Sequence, residues 1–156
     1  MQTIYVSEVC ENSEMHALVV DKDLPLIDAV KQFATKHDLR GIFITGEGGR
    51  LEGVVNKQDL LHWVGLQLNQ GSTGKPMTVG QMRRLVTAKK VSDLATIGSE
   101  NTALRLNDTL ADALQKMTSF NLSDVPVVDD DDRIINDLRL SEILLFMVNN
   151  NSDSAP

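Results

Sequence analysis

The sequence predicts a mixed α/β (α+β) fold built from two β-α-β-β-α repeats that pack against each other with pseudo-twofold symmetry. Two observations lead to this prediction. First, the 156-residue chain is similar to itself, because the segment that begins at Leu26 (LIDAV) has a counterpart that begins at Leu110 (LADAL). Second, helical and strand periodicities follow one another in the same order in both halves.

In the first repeat, a strand is expected near residues 17–20. The helix that follows has apolar residues at i, i+3, i+4, i+7 and i+8 from Leu26, which is the stripe of an amphipathic helix. Branched residues in 42–45 and 51–55 predict two further strands. A helix over about 57–68 closes the repeat.

The second repeat predicts the same elements in the same order. We expect a strand near 103–106, a helix from Leu110, strands at 125–129 and 134–138, and a helix at 141–148. A capping box of Thr78 and Gln81 predicts a short helix between the repeats. The chain therefore divides into a first repeat (1–68), a linker with a short helix (69–90), a second repeat (91–149) and a disordered tail (150–156).

Composition excludes several classes of function. The formal net charge is −7, which disfavours nucleic acid as a partner. The longest apolar run, residues 143–148, is far shorter than the roughly 20 residues that span a bilayer, so no membrane association is expected. No secretory signal is recognisable at the start of the sequence, so we expect a cytoplasmic location. The single Cys10 can form no intrachain disulfide.

Three stretches carry a resemblance to a known family: 26–29 (LIDA), 53–61 (GVVNKQDLL) and 124–129 (DVPVVD). Together with the repeat, they resemble the cystathionine beta-synthase (CBS) domain family, whose members occur as tandem pairs. The resemblance implies a regulatory module that binds adenosine derivatives in the clefts of the pair, forms homodimers and is read by a protein partner. The identity of that partner is unknown.

The resemblance also implies ligand-binding residues in the first repeat. The family pattern of Gly, two apolar residues, Thr or Ser, two further residues and Asp falls on Gly53, Asn56 and Asp59. A carboxylate can accept hydrogen bonds from both hydroxyls of a ribose, which suits Asp59. Asn56 lies where a strand meets a helix N-terminus, a favourable place for a phosphate. Arg40, at the entry to the middle strand, would pair with phosphate, and Ile42 of that strand completes the expected nucleotide site.

A second interpretation of the same residues is open. Asn56 and Asp59 also have the spacing of a helix cap with an acid in the first turn, which stabilises a helix by about 1 kcal/mol without any ligand. Asn56 in place of Thr or Ser is moreover a departure from the family pattern.

The second repeat departs further from the pattern. Its corresponding residues are Asn136, Arg139 and Glu142, and Asp137 interrupts the strand. Asp124 occupies the position of Arg40 and is expected to repel phosphate, which Arg139 would partly offset. We therefore expect Arg139 and Glu142 to form a weaker, altered or empty second site.

Other signals are weaker. Residues 71–75 (GSTGK) lack the full phosphate-loop pattern and are expected to be a linker, and the acidic run 129–132 is expected to be a solvated turn and not a metal site. No set of catalytic residues is recognisable. The sequence thus predicts a non-catalytic module for AMP, ADP, ATP or a related adenosine ligand that needs no cofactor. The alternative is a CBS-fold dimerisation scaffold with degenerate sites.

Overall fold

The structure, a computed structural model, describes residues 2–10, 13–68 and 78–154. Its helices and strands follow the predicted order, except that a short helix precedes the first strand and that no strand forms at 103–106. In chain order they are α1 (Val6–Cys10), β1 (Ala17–Asp21), α2 (Leu26–Ala34), β2 (Gly41–Thr45), β3 (Leu51–Val55), α3 (Lys57–Gln67), α4 (Val79–Val86), α5 (Leu110–Phe120), β4 (Asp124–Val128), β5 (Ile134–Arg139) and α6 (Leu140–Ser154).

Contacts group these elements into two compact units. The central unit comprises Ala17–Asn101, and the terminal unit combines Met1–His16 with Thr102–Pro156. Helix α1 therefore belongs with the elements of the second repeat, and α4 belongs with those of the first. The division of the chain into repeats at 1–68 and 91–149 stays a prediction. It is based on internal sequence similarity, whereas the two units are defined by contacts.

The central unit is built on a three-stranded sheet in the order β1-β2-β3. Strands β1 and β2 are parallel and are connected by α2, whereas β2 and β3 are antiparallel and are joined by a short turn. The apolar stripe of α2 buries Leu26 and Ala29 against Ile42, Ile44 and Val55 of the sheet. Burial of this stripe supplies the main hydrophobic stabilisation of the helix.

The chain that follows α4 is an integral part of this core. Helix α4 begins at the predicted capping box, in which the Thr78 hydroxyl accepts a hydrogen bond from the Gln81 amide at 3.1 Å. A 3₁₀ turn, Val91–Leu94, then places Val91 and Leu94 in the core with no exposed surface. The amide of Val91 donates to the carbonyl of Leu24 at 2.9 Å, which attaches this segment to the start of α2.

The terminal unit contains the antiparallel pair β4-β5 with α1, α5 and α6. The strand expected at 103–106 is reduced to a single parallel bridge between Leu104 and Val127. Leu104 exchanges two backbone hydrogen bonds with β4, but the Asp108 carboxylate then accepts from the Arg105 amide at 2.8 Å and turns the chain away. This local turn prevents a longer ladder.

Helix α6 continues to Ser154, beyond the end expected near Val148, so residues expected to belong to a disordered tail are helical up to that position. No Gly or Pro interrupts the chain between Leu140 and Ser154, so helical hydrogen bonding can propagate. The predicted linker at 71–75 lies outside the described residues. In the part of the chain that the structure describes, no helix combines the length and apolar character that crossing a membrane requires.

Candidate functional site

The junction of β3 and α3 forms a complete capping box. The Asn56 side-chain oxygen accepts from the Asp59 amide at 2.8 Å, and the Asp59 Oδ2 atom accepts from the Asn56 amide at 2.9 Å. Two otherwise unsatisfied amides at the helix N-terminus are thereby paired. The capping interpretation of these two residues therefore describes real contacts.

Capping does not account for every contact of the Asp59 carboxylate. The Thr96 hydroxyl also donates to Oδ2, at 2.8 Å, while Oδ1 receives no hydrogen bond from the described residues. Burial raises the pKa of Asp59, and the hydrogen bonds from Asn56 and Thr96, followed by the charges of Arg84 and His62, oppose that rise. The carboxylate is thus held in one orientation with one oxygen still able to accept.

Gly53 explains how Thr96 reaches this carboxylate. A Cβ atom at Gly53 would lie 3.1 Å from the Cβ of Ala95, so a larger residue would push the two segments apart. The Ser99 hydroxyl accepts from the Val54 amide at 2.8 Å and holds the same segment against β3. The family-pattern glycine therefore has a packing role that aligns Thr96 with Asp59. No motif in the sequence identifies Thr96, because its role depends on this tertiary approach.

Arg40 and Ile42 occupy different environments. The antiparallel register pairs Ile42 with Val55. Arg40, just before β2, and Asn56, just after β3, therefore lie at the same end of this strand pair. The Arg40 side chain is exposed. Ile42 is completely buried in the core, so its side chain contributes to packing. Only its backbone could face a ligand.

In the second repeat, the residues expected to form the weaker site pair with each other. The Glu142 Oε1 atom accepts from the Arg139 amide at 3.1 Å and from Arg139 Nε at 3.0 Å. Glu142 stands where Asp59 stands in the first repeat, but here the residue before the helix carries a guanidinium that neutralises the acid. This ion pair is mostly buried, with 15% and 11% of the two side chains exposed.

Arg139 and Glu142 also line a cavity of about 350 Å³ in the terminal unit. Its other lining residues come from the N-terminal segment and from α6 (Glu8, Val9, Ser13, Leu145, Phe146 and Asn149). A cavity of this size lies at the lower end of the range for small-molecule sites. The two residues predicted for the second site therefore meet at a concave surface.

A buried carboxyl pair lies behind this ion pair. Asp124 of β4 and Asp137 of β5 are 4% and 0% exposed, and neither oxygen of Asp124 receives a hydrogen bond from an N–H or hydroxyl group of the described residues. Burial, then the hydrogen bond with Asp137 and its charge, raise the pKa of Asp124 to about 9. The raised pKa favours the neutral form of Asp124, whereas the expectation that Asp124 repels phosphate assumes a charged carboxylate and stays a prediction.

The acidic run 129–132 forms a tight turn. The Asp129 Oδ1 atom accepts from the amides of Asp131 and Arg133 at 2.8 and 3.0 Å, and the Arg105 guanidinium lies 2.7 Å from Asp132. Within residues 2–10, 13–68 and 78–154, no group of three or more His, Cys, Asp or Glu side chains is arranged to hold a metal ion.

Comparison with known proteins agrees with these two repeats. The family model for the CBS domain matches residues 6–66 and 91–149. No curated protein matches the sequence significantly.

Solved structures share the fold at low sequence identity. A CBS domain-containing protein from Thermotoga maritima is 21% identical, with a TM-score of 0.75 over 96% of this chain and 97% of that one. CBSX2, solved in complex with AMP, is 23% identical, with a TM-score of 0.71 over 95% and 99% of the two chains. The CBS domain pair of protein MJ0100, solved with 5′-methylthioadenosine and S-adenosyl-L-methionine, is 17% identical, with a TM-score of 0.65 over 96% and 99%. Because the family model covers most of the sequence in two consecutive matches, the chain belongs to the CBS domain family as a tandem pair of CBS repeats.

Proposed function

We propose that this CBS pair is a non-catalytic regulatory module that binds an adenine nucleotide at the β3–α3 junction of the central unit. One observation carries the proposal: the Asp59 carboxylate is oriented through Oδ2 by Asn56 and Thr96, while Oδ1 receives no hydrogen bond from the described residues. A fixed carboxylate oxygen of this kind is a suitable acceptor for the vicinal hydroxyls of a ribose.

The related structures support this choice of ligand class. CBSX2 was solved with AMP, and the MJ0100 pair with 5′-methylthioadenosine and S-adenosyl-L-methionine. These three ligands share an adenosine group and differ in what the 5′ carbon carries. Ribose recognition by Asp59 would therefore serve all of them, and AMP, ADP and ATP are the first ligands to test.

The Asp59→Asn variant tests the proposal, because it keeps the side-chain shape and the oxygen that caps α3 but removes the negative charge. We expect AMP affinity to fall about tenfold or more, since hydrogen bonds to a charged acceptor contribute about 1.5–3 kcal/mol each. Isothermal titration with AMP, ADP and ATP measures the change.

Asp112→Asn is the matched control, because Asp112 accepts from the Thr109 amide at 3.0 Å in the capping box of α5. Both variants remove the same charge from the same helix position. Equal AMP affinity in the wild type and the Asp59→Asn variant would reduce Asp59 to a capping residue.

The regulatory part of the proposal requires a second surface. Helices α3 and α6 expose apolar side chains in the described part of the chain (Leu61 and Val64 on α3, with Leu68 directly after it; Leu144, Leu145 and Val148 on α6). Such surfaces suit association with a second copy of the chain or with a protein partner. We propose a homodimer in the cytoplasm whose response to the nucleotide is read by that partner. Ligand binding can act in this way only if it favours one conformation over another.

The second candidate function is a dimerisation scaffold. The observation that favours it is the internal ion pair of Arg139 and Glu142, the two residues expected to form the second site. A panel of adenosine ligands separates the two candidates, because a ligand at 100 times its Kd should stabilise the protein by about 2.7 kcal/mol. A scaffold would show no stabilisation with any of them.

A further inference from the structure

We infer that Arg84, on the helix between the repeats, donates hydrogen bonds to the 5′-phosphate and makes the central-unit site select phosphorylated over unphosphorylated adenosine. The inference rests on the proposed function, which it deepens by naming the group that distinguishes one adenosine derivative from another. It concerns a residue outside the Gly53–Asn56–Asp59 pattern.

The first observation is an unsatisfied donor. Arg84 lies on α4, its side chain is half-buried, and its Nε atom is buried without a hydrogen-bond partner among the described residues. A buried donor without a partner costs about 1–3 kcal/mol, so such atoms are rare unless a ligand, ion or water pairs with them. A guanidinium is planar and presents its donors as a fork, which matches the oxygens of a phosphate.

The second observation is the position of this guanidinium beside the proposed ribose acceptor. Arg84 is close enough to Asp59 to lower the pKa of that carboxyl, although no ion pair joins the two side chains. The hydrogen bonds received by Asp59 are all directed to Oδ2, and they come from Asn56 and Thr96. Helix α4, which carries Arg84, is in contact with α3, which carries Asp59. A donor for anions and an acceptor for hydroxyls thus lie on neighbouring helices without an ion pair between them.

The other nearby carboxylate is also engaged elsewhere. Asp93 Oδ2 accepts from the amides of Lys89 and Lys90 at 2.9 and 3.0 Å. The Lys90 ammonium in turn pairs with Asp23 at 3.1 Å. Arg84 therefore has no carboxylate bound to it in the described part of the central unit. A 5′-phosphate would supply the missing anion while the ribose of the same ligand meets Asp59.

The neighbouring Arg83 provides a control that differs in one property. Arg83 and Arg84 are adjacent on α4 and carry the same charge, but Arg83 is exposed. A long-range electrostatic effect on an anionic ligand would respond similarly to the loss of either charge, apart from screening. A direct contact with the phosphate would respond only to the loss of Arg84.

The test is the ratio of AMP affinity to adenosine affinity in the full chain, measured by isothermal titration for the wild type, Arg84→Gln and Arg83→Gln. We expect Arg84→Gln to weaken AMP binding about tenfold or more and to leave adenosine binding unchanged, because only AMP carries the phosphate. Arg83→Gln should leave both affinities within about twofold of the wild type. Arg84→Lys, which keeps the charge and loses the fork, should give an intermediate ratio.

The outcomes that contradict the inference differ from those that contradict the proposed function. If Asp59→Asn weakens AMP binding but Arg84→Gln leaves the AMP-to-adenosine ratio unchanged, the function stands and the role of Arg84 is wrong. Equal weakening of both ligands by Arg84→Gln also overturns it, because that result indicates a structural role. If the wild type binds none of AMP, ADP, ATP and adenosine, both proposals are wrong. Circular dichroism and the thermal midpoint of each variant show whether it is folded, and Arg84→Lys provides the comparison if Arg84→Gln is not.

Discussion

Replacement of Asp124 by Asn should stabilise the protein much more at pH 8 than at pH 5. Asp124 is buried beside Asp137, and its pKa is raised to about 9 from an ordinary value of 3.8. The folded state therefore holds a proton that the unfolded chain releases above pH 4. The side chain of Asn has the same shape, is neutral at every pH and can donate to Asp137.

The sign of the pH dependence follows from this proton. Because the pKa of Asp124 is higher in the folded state, its contribution to the free energy of unfolding is greatest below pH 4 and decreases as the pH rises towards 9. One proton gives a slope of at most about 1.4 kcal/mol per pH unit. The charged groups that face Asp124 are Asp137, Arg139 and Glu142, and the attraction of Arg139 opposes the effect of the two acids.

Urea denaturation of both proteins at pH 5, 6, 7 and 8 measures this effect. The difference in stability between Asp124→Asn and the wild type should grow by up to about 4 kcal/mol across that range. Asp131→Asn is the control, because Asp131 is an aspartate of the same unit and is exposed. If the curves of the wild type and Asp124→Asn stay parallel, Asp124 is ionised in the folded protein and the account of the buried pair is wrong.

Leu94→Ala should destabilise the central unit by about 2–5 kcal/mol, which is the usual cost of truncating a buried leucine. Leu94 has no exposed surface and packs with Val91 and Leu85 in the core formed by the sheet and α2. Leu94 follows the linker predicted for 69–90. A decrease of this size in the free energy of unfolding would show that the residues after that linker are part of the core of the central unit.

Ile97→Ala is the matched control for Leu94→Ala. Ile97 lies three residues further along the same segment and is 81% exposed. Its truncation should change the free energy of unfolding by no more than about 0.5 kcal/mol. Denaturant unfolding with circular dichroism compares the two variants. A small effect of Leu94→Ala, similar to that of Ile97→Ala, would mean that the segment is not packed as described.

The sequence predicted those parts of the structure that depend on local chemistry. Apolar spacing identifies α2, branched residues identify β2 and β3, and the Thr78–Gln81 capping box identifies the start of α4. These signals are sufficient because each element depends on its own residues and their neighbours. The strand expected at 103–106 is wrong because the competing contact, from Asp108 to the Arg105 amide, also lies within a few residues.

The candidate site was only partly predictable. The sequence marked Asn56 and Asp59, but their hydrogen bond with Thr96 depends on a segment brought close by Gly53. The raised pKa of Asp124 requires burial against Asp137, and the unpaired Arg84 donor requires the packing of α4 within the central unit. Shifted pKa values of this kind are properties of tertiary packing, so residue type alone does not indicate them.

The most direct test of nucleotide binding at the β3–α3 junction is a titration of isotope-labelled protein with AMP, followed by amide chemical shifts in NMR spectra. We expect saturable shift changes that are largest at Asn56, Asp59 and Thr96 and that require at least about tenfold more AMP in the Asp59→Asn variant. Shift changes confined to Arg139, Glu142 and the cavity of the terminal unit would contradict it, and so would the absence of any change at millimolar AMP.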